Sequence, residues 1–300
     1  MAESIHFFGN FRNRLGESPV WDAEAGLLYW VDTVACRVYS ATGSGDPGKS
    51  WMTASDVGSI GLAVNGLVAA LRDGFHLIAD ARIDPIFRVE HQGAPVRFND
   101  GKTDRSGRFL AGTMRIGVTD GAPGKLYRLD SDGHCAILET DIQISNSLCF
   151  SPSGDRMYFA DSLRRVVWAY DYDLDGIGAS NRVPLIDTSP FGSVPDGATV
   201  DADGNIWLAL VQAQKIAQFA PDGRLLRAIE LPVPFPSCPA FGGEGLETLF
   251  ITTIQDSGNL LRTDHPDGGR MLAIEGLGAS GIQEARWMDR RPICRCEETS

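Results

Sequence analysis

A glycine-bearing turn between two apolar strands returns six times along this chain, and few folds accommodate such a period. The unit reads Val20-Trp-Asp-Ala-Glu-Ala-Gly-Leu-Leu-Tyr-Trp30 in its first copy and Leu62-Ala-Val-Asn-Gly-Leu-Val68 in its second. Copies three to six surround Gly107, Gly154, Gly204 and Gly245. With Gly26 and Gly66 included, successive turn glycines lie 40, 41, 47, 50 and 41 residues apart, and each interval fits one four-stranded propeller blade. Glycine belongs in these turns because a hairpin loop requires positive φ. The flanking strands are rich in Trp, Tyr, Phe, Ile and Val, as half-buried or buried strands are.

No segment of twelve or more residues shows a sustained 3.6-residue apolar stripe, which argues against an α/β fold. The expectation is an all-β, six-bladed β-propeller: one domain over residues 1–300, with a core from about 14 to 290 and a tail over 291–300. Because the ring must close, the segment before Glu17 is expected to pair with strands near Gly269 to Ile274.

A formal net charge of −12 with no Lys/Arg cluster argues against nucleic acid and anionic lipid. The longest uncharged run, Val57 to Leu71, is shorter than the roughly 20 residues of a membrane span. Residues 1–10 carry neither a basic leader nor an apolar stretch. The six cysteines, at 36, 135, 149, 238, 294 and 296, match no disulfide or zinc spacing and read as reduced thiols. The expectation is a cytoplasmic monomer or weak homo-oligomer.

Residues at equal phase in each blade should form a ring around the propeller axis. Asn99, Asn146 and Asp196 lie eight residues before their turn glycines, and Glu17 lies nine before Gly26. The same phase falls on Ser237 in blade six and on Gly58 or Ile60 in blade two. Asn and Asp open many loops, so a single such position carries little weight. Four at one phase predict hard oxygen donors converging on one divalent cation, Ca, Zn, Mg or Mn, at one end of the central channel.

The runs Leu15-Gly-Glu-Ser-Pro-Val20, Arg97-Phe-Asn-Asp-Gly-Lys102, Ile144-Ser-Asn-Ser-Leu148 and Val194-Pro-Asp-Gly-Ala198 together resemble the senescence-marker-protein, gluconolactonase and luciferin-regenerating-enzyme (regucalcin-like) family, over nearly the whole chain. The resemblance implies a metal bound by Glu17, Asn146 and Asp196, with Asn99 contacting metal or substrate and Arg97 contacting substrate hydroxyls. Two departures stand out. Gly112-Thr-Met-Arg-Ile-Gly117 lacks the acidic residue frequent after this Gly-Thr-Met, and Ser147 follows Asn146 where glycine is common. The first leaves the sugar open and makes Arg115 a candidate for reading an anionic substrate, or else a surface partner of Asp120. The second is expected to trim pocket shape.

Other patterns are discounted. Asp171-x-Asp173-x-Asp175-Gly176 opens like an EF-hand loop, but its twelfth residue is Arg182. Gly43-x-Gly45-x-x-Gly48 contains Pro47 and precedes no helix. There is no Gly-x-Ser-x-Gly elbow, and the histidines at 6, 76, 91, 134 and 265 share no phase.

The reading is metal-dependent hydrolysis of a sugar lactone, with Asp196 as general base and Arg97 orienting the ring. The alternatives are a non-catalytic Ca-binding regulator and an ester or phosphotriester hydrolase, the latter expected to have a more apolar pocket.

Overall fold

Each of the six turn glycines adopts positive φ, from 64° at Gly245 to 122° at Gly66, and each sits between the two innermost strands of a sheet. At Gly66 a Cβ would lie 2.1 Å from the Ile78 carbonyl oxygen, so sterics as well as φ demand glycine there. The computed structural model describes residues 3–90, 95–117, 124–176, 178–258 and 260–291. They form six four-stranded antiparallel sheets, the expected propeller.

The innermost strands, in blade order, are Gly16–Asp22, Val57–Ala63, Val96–Thr103, Ser145–Phe150, Pro195–Val200 and Pro236–Gly242. All but the third are buried along their whole length, and in the third only Arg97 is partly exposed. They face the axis while neighbouring blades cover their flanks. Apolar clusters fill the wedges between blades. Leu110 and Leu126 of blade three meet Phe150 and Phe159 of blade four, and Trp207 and Ile216 of blade five meet Phe241 and Leu272 of blade six. Among the described residues the helices are four single 3-10 turns, and none is long and apolar enough to cross a membrane.

Ring closure follows the expectation. The first strand, Ser4–Arg12, pairs antiparallel with the last, Arg270–Glu275, as the outer strand of blade six. This strand lies ahead of the core bound expected near residue 14. After the last strand the chain becomes a strap across the far end of the propeller. Ser280 O accepts from Ala202 N, Gly281 N donates to Leu246 O, and the Trp287 main chain exchanges bonds with Leu62 O and Val64 N. The Trp287 ring is fully buried between blades two and three. Residues 292–300, including Cys294 and Cys296, lie outside the described residues; the four described cysteines are unpaired.

Candidate active site

The site is built by one irregularity repeated six times. In every blade the pairing of the innermost strand with its neighbour shifts register at the same place: Glu17/Val20, Val57/Ser59, Phe98/Gly101, Asn146/Cys149, Pro195/Ala198 and Pro236/Pro239. Such bulges re-aim a side chain out of the alternating pattern. Ser18 (φ 49°) and Ser147 (φ 58°) occupy the left-handed region within two of them. The six bulges fall at the phase that carries Glu17, Gly58, Asn99, Asn146, Asp196 and Ser237.

Glu17, Arg97, Asn99, Asn146 and Asp196 line one cavity of about 280 Å³ at the mouth of the channel. The other two ring positions do not reach it. A Cβ on Gly58 would lie 2.4 Å from the Phe98 carbonyl carbon, so the blade-three backbone fills that place. Ser237 donates to Gly16 O at 2.6 Å and locks blade six to blade one.

Hydrogen bonds fix the polar groups in one arrangement. Arg97 Nη1 donates to Asn99 Oδ1 and to Phe98 O, both at 2.8 Å. Asn99 Nδ2 donates to Ser145 O (2.8 Å) and to Asn146 Oδ1 (3.0 Å). Asn146 Nδ2 donates to Ser162 Oγ at 2.7 Å, and Ser162 Oγ donates to Pro195 O at 2.7 Å. Ser147 lies wholly beneath the surface, and its hydroxyl donates to Asp196 O at 2.5 Å. It braces the backbone of Asp196 rather than trimming the pocket.

The electrostatics are those of crowded acids. Glu17 and Asp196 are each only 7% exposed. Burial, then the charges of Asp196 and Asp100, hold the Glu17 carboxyl well above the ordinary carboxylate range. Burial and Asp100 raise Asp196 likewise, against the pull of Arg97. Burial lowers the Arg97 guanidinium, opposed by Asp56, Glu17 and Asp196. Asp100 is the residue that repeat phase alone does not reveal, although it directly follows Asn99. It accepts from Leu148 N at 2.7 Å and Gly101 N at 2.9 Å, and burial pushes it up to about 6.

This donor set fits a divalent cation. Among the described residues no three His, Cys, Asp or Glu side chains cluster as a metal site, so the two carboxylates need an amide oxygen beside them. Asn146 Oδ1 accepts one hydrogen bond, from Asn99 Nδ2, and a carbonyl oxygen so engaged keeps a second lone pair. Among the described residues Glu17 accepts a single hydrogen bond, from its neighbour Ser18 N at 3.2 Å, which leaves most of a buried carboxylate's acceptor capacity unused.

Arg115 is not part of this lining. Met114, paired with Arg97 across the two inner strands, takes the wall, and strand alternation turns the next side chain to the opposite face. Asp120 lies outside the described residues, as does His91. None of the described histidines lines the cavity. Asp171 lies in the third strand of blade four, Val166–Tyr172, and Asp173 and Asp175 in the loop that follows it.

The rest of the lining was not legible from repeats. Leu15, Val211 and Ile254 form an apolar cluster with Val194 and Leu261 on one side of the mouth, and Leu163 and Leu260 stand at its rim.

Fold and site together define a β-propeller whose channel mouth is armed with two carboxylates, two amides and a guanidinium. Residues 15–255 match the family model of the SMP-30/Gluconolactonase/LRE-like region, and the chain belongs to that family. It is 33% identical over 246 residues to the 6-deoxy-6-sulfogluconolactonase of Pseudomonas putida, covering 81% of this chain and 84% of the relative. A pentonolactonase of Haloferax volcanii is 31% identical over 82% of this chain and 84% of its own length. The solved structure of luciferin-regenerating enzyme superposes with a TM-score of 0.86 at 28% identity, covering 96% of this chain and all of that one.

Proposed function

We propose that this protein is a lactonase that opens a sugar lactone to the free acid, with one divalent cation held by Glu17, Asn146 and Asp196. The observation that carries the reading is the pairing, in one buried mouth, of two charge-starved carboxylates with an arginine held at their side, in a family whose named relatives include two sugar lactonases. A divalent cation bound there supplies positive charge and Lewis acidity toward the ester carbonyl.

This chain's own residues do the rest. Arg97 has committed Nη1 to Asn99 and Phe98. Its other N–H groups donate to ring hydroxyls and fix the lactone's orientation, which contributes to rate through positioning. Asn99 holds both Arg97 and the Asn146 amide in place, and so acts as a positioning residue. Asp196 takes a proton from the attacking water onto a carboxylate oxygen as the water oxygen bonds the carbonyl carbon. It returns that proton to the ring oxygen when the C–O bond breaks.

The test separates ligation from base chemistry. Asp196→Asn keeps an oxygen ligand but removes the base, so lactone hydrolysis followed by pH-stat should fall about 10²- to 10⁴-fold while calorimetric titration with Ca, Zn, Mg or Mn still shows binding. Near wild-type turnover in the variant removes Asp196 from the base role. A non-catalytic Ca-binding protein would show binding and no turnover of any lactone. One observation favours a second reading: the apolar side of the mouth is the feature expected of an ester or phosphotriester hydrolase. Aryl esters and a phosphotriester therefore belong in the same assay, and a preference for them over every lactone selects that reading.

A further inference from the structure

Floor and collar of the cavity come from different parts of the blades. The polar floor is carried by the inner strands: Glu17, Arg97, Asn99, Asn146 and Asp196. The collar comes from connecting segments and is predominantly apolar. Leu15 and Val194 precede inner strands, Val211 begins the 3-10 turn after a second strand, and Ile254 and Leu261 follow the second strand of blade six.

The apolar wall lies on the side of blades five, six and one, across the mouth from Arg97 in blade three. Leu163 of blade four and Leu260 of blade six add apolar surface at the rim, with 53% and 64% of their surface exposed. Three polar side chains interrupt the collar, and two of them are engaged. Ser162 Oγ is spent on Asn146 and Pro195, Ser257 Oγ accepts from Leu260 N and Leu261 N, and Gln212 stands at the exposed edge.

A lactone hydroxylated at every carbon cannot use such a wall. Held by its ester and ring hydroxyls at the floor, it would press outer hydroxyls against leucine and valine, which offer neither donor nor acceptor. A carbon without oxygen there buries apolar surface instead. On the lactonase reading, we infer that the substrate is amphiphilic: a lactone whose ester and ring hydroxyls meet the floor, and whose exocyclic end is deoxygenated or a short alkyl group lying on the Leu15, Val211, Ile254 and Leu261 wall.

The experiment uses the full chain loaded with its activating cation. kcat/KM is compared for a five-membered aldonolactone, its terminally deoxygenated counterpart, and the same ring bearing a short alkyl chain. Each methylene in an apolar pocket discriminates by about 10- to 200-fold, so the deoxygenated and alkyl lactones should exceed the parent by about 10-fold or more. Leu261→Gln should collapse that ratio toward one. Leu163→Gln and Leu260→Gln, at exposed positions that leave the core untouched, should each lower it and carry the test if Leu261→Gln does not fold.

Calorimetric binding of the matching lactams, which resist hydrolysis, gives the same comparison without turnover. Preference among lactams with no lactone turned over sinks the lactonase reading and upholds the amphiphilic ligand. Turnover with the parent equal to or better than its deoxygenated counterpart, or a ratio untouched by the collar variants, overturns the inference and leaves the lactonase standing.

Discussion

Ser147 sits at φ 58°, where a Cβ costs about 1–2 kcal/mol, and its hydroxyl reaches the Asp196 carbonyl oxygen. Strain and hydrogen bond offset each other. Ser147→Gly should therefore be nearly neutral in urea unfolding, whereas Ser147→Ala keeps the strain, loses the bond and should cost about 1 kcal/mol more than the glycine variant. Equal stability of the two variants would mean that the bond contributes nothing.

The acids beside it set a pH dependence. Glu17, Asp196 and Asp100 hold their protons more tightly in the folded protein than in the unfolded chain, where carboxyls titrate near 4. The folded form thus binds more protons above that pH, and stability of the metal-free protein falls as pH rises; for Asp100 the loss spans about 4 to about 6. A cation between the carboxylates relieves the penalty. The rise in Tm on adding metal to chelator-treated protein should be larger at pH 8 than at pH 5, and Glu17→Gln should shrink the difference. An increment that grows toward pH 5 contradicts this account.

Between residues and blades, the loops that enter the inner strands are held by the ends of their neighbours. Asp32 closes the second strand of blade one and accepts from Arg14 N (2.7 Å) and Leu15 N (3.2 Å), just ahead of Glu17. Asp161 does the same in blade four for Gln143 N (3.0 Å) and Ile144 N (3.1 Å), just ahead of Asn146. Removing either carboxylate leaves its two loop N–H groups without that partner, and removing Asp32 frees Ala35 N (3.1 Å) as well. Asp161→Ala should destabilise by about 2–4 kcal/mol in urea unfolding and weaken metal binding by calorimetry, although Asp161 is not in the cavity lining. Unchanged metal affinity in a folded variant would show that the loop holds its place without the carboxylate.

This is also the scale at which sequence legibility ends. The hairpins were readable because positive φ is written as glycine, and the phase of Glu17, Asn99, Asn146 and Asp196 followed from counting back to those glycines. The bulges beneath them were not, because a register shift carries no residue signature of its own, and Ser18 and Ser147 adopt positive φ without being glycine. The apolar collar lies in segments between repeats, where period gives no information. Its members meet only when blades five, six and one come together.

At the scale of the molecule, the strap ties together blades one, two, three, five and six. Arg286 reaches Asp22 at 2.5 Å and Ala63 O at 3.2 Å, while Glu284 pairs with Arg105 at 3.1 Å and with the buried Lys102 at 3.8 Å. Trp287 anchors it with a fully buried ring whose indole N–H has no partner. Trp287→Ala should therefore cost about 3–5 kcal/mol, and Trp287→Phe distinctly less, because the lost N–H was contributing no hydrogen bond. Chemical denaturation of the two variants decides it, and equal losses would show that the indole contributes through more than its apolar surface.

The pairing of Ser4–Arg12 with Arg270–Glu275 also fixes an order of events during synthesis. This strand leaves the ribosome ahead of every blade yet is among the last to find its ladder, since its partner is translated after five complete blades have already emerged. Until then the nascent chain carries an unpaired strand with aromatic side chains at Phe7, Phe8 and Phe11, and blade six has nothing along its outer side. A message broken anywhere upstream of codon 270 does not yield a smaller working propeller. It yields an open ring with raw β-edges at both ends, a product that invites pairing with other chains and marks itself for removal.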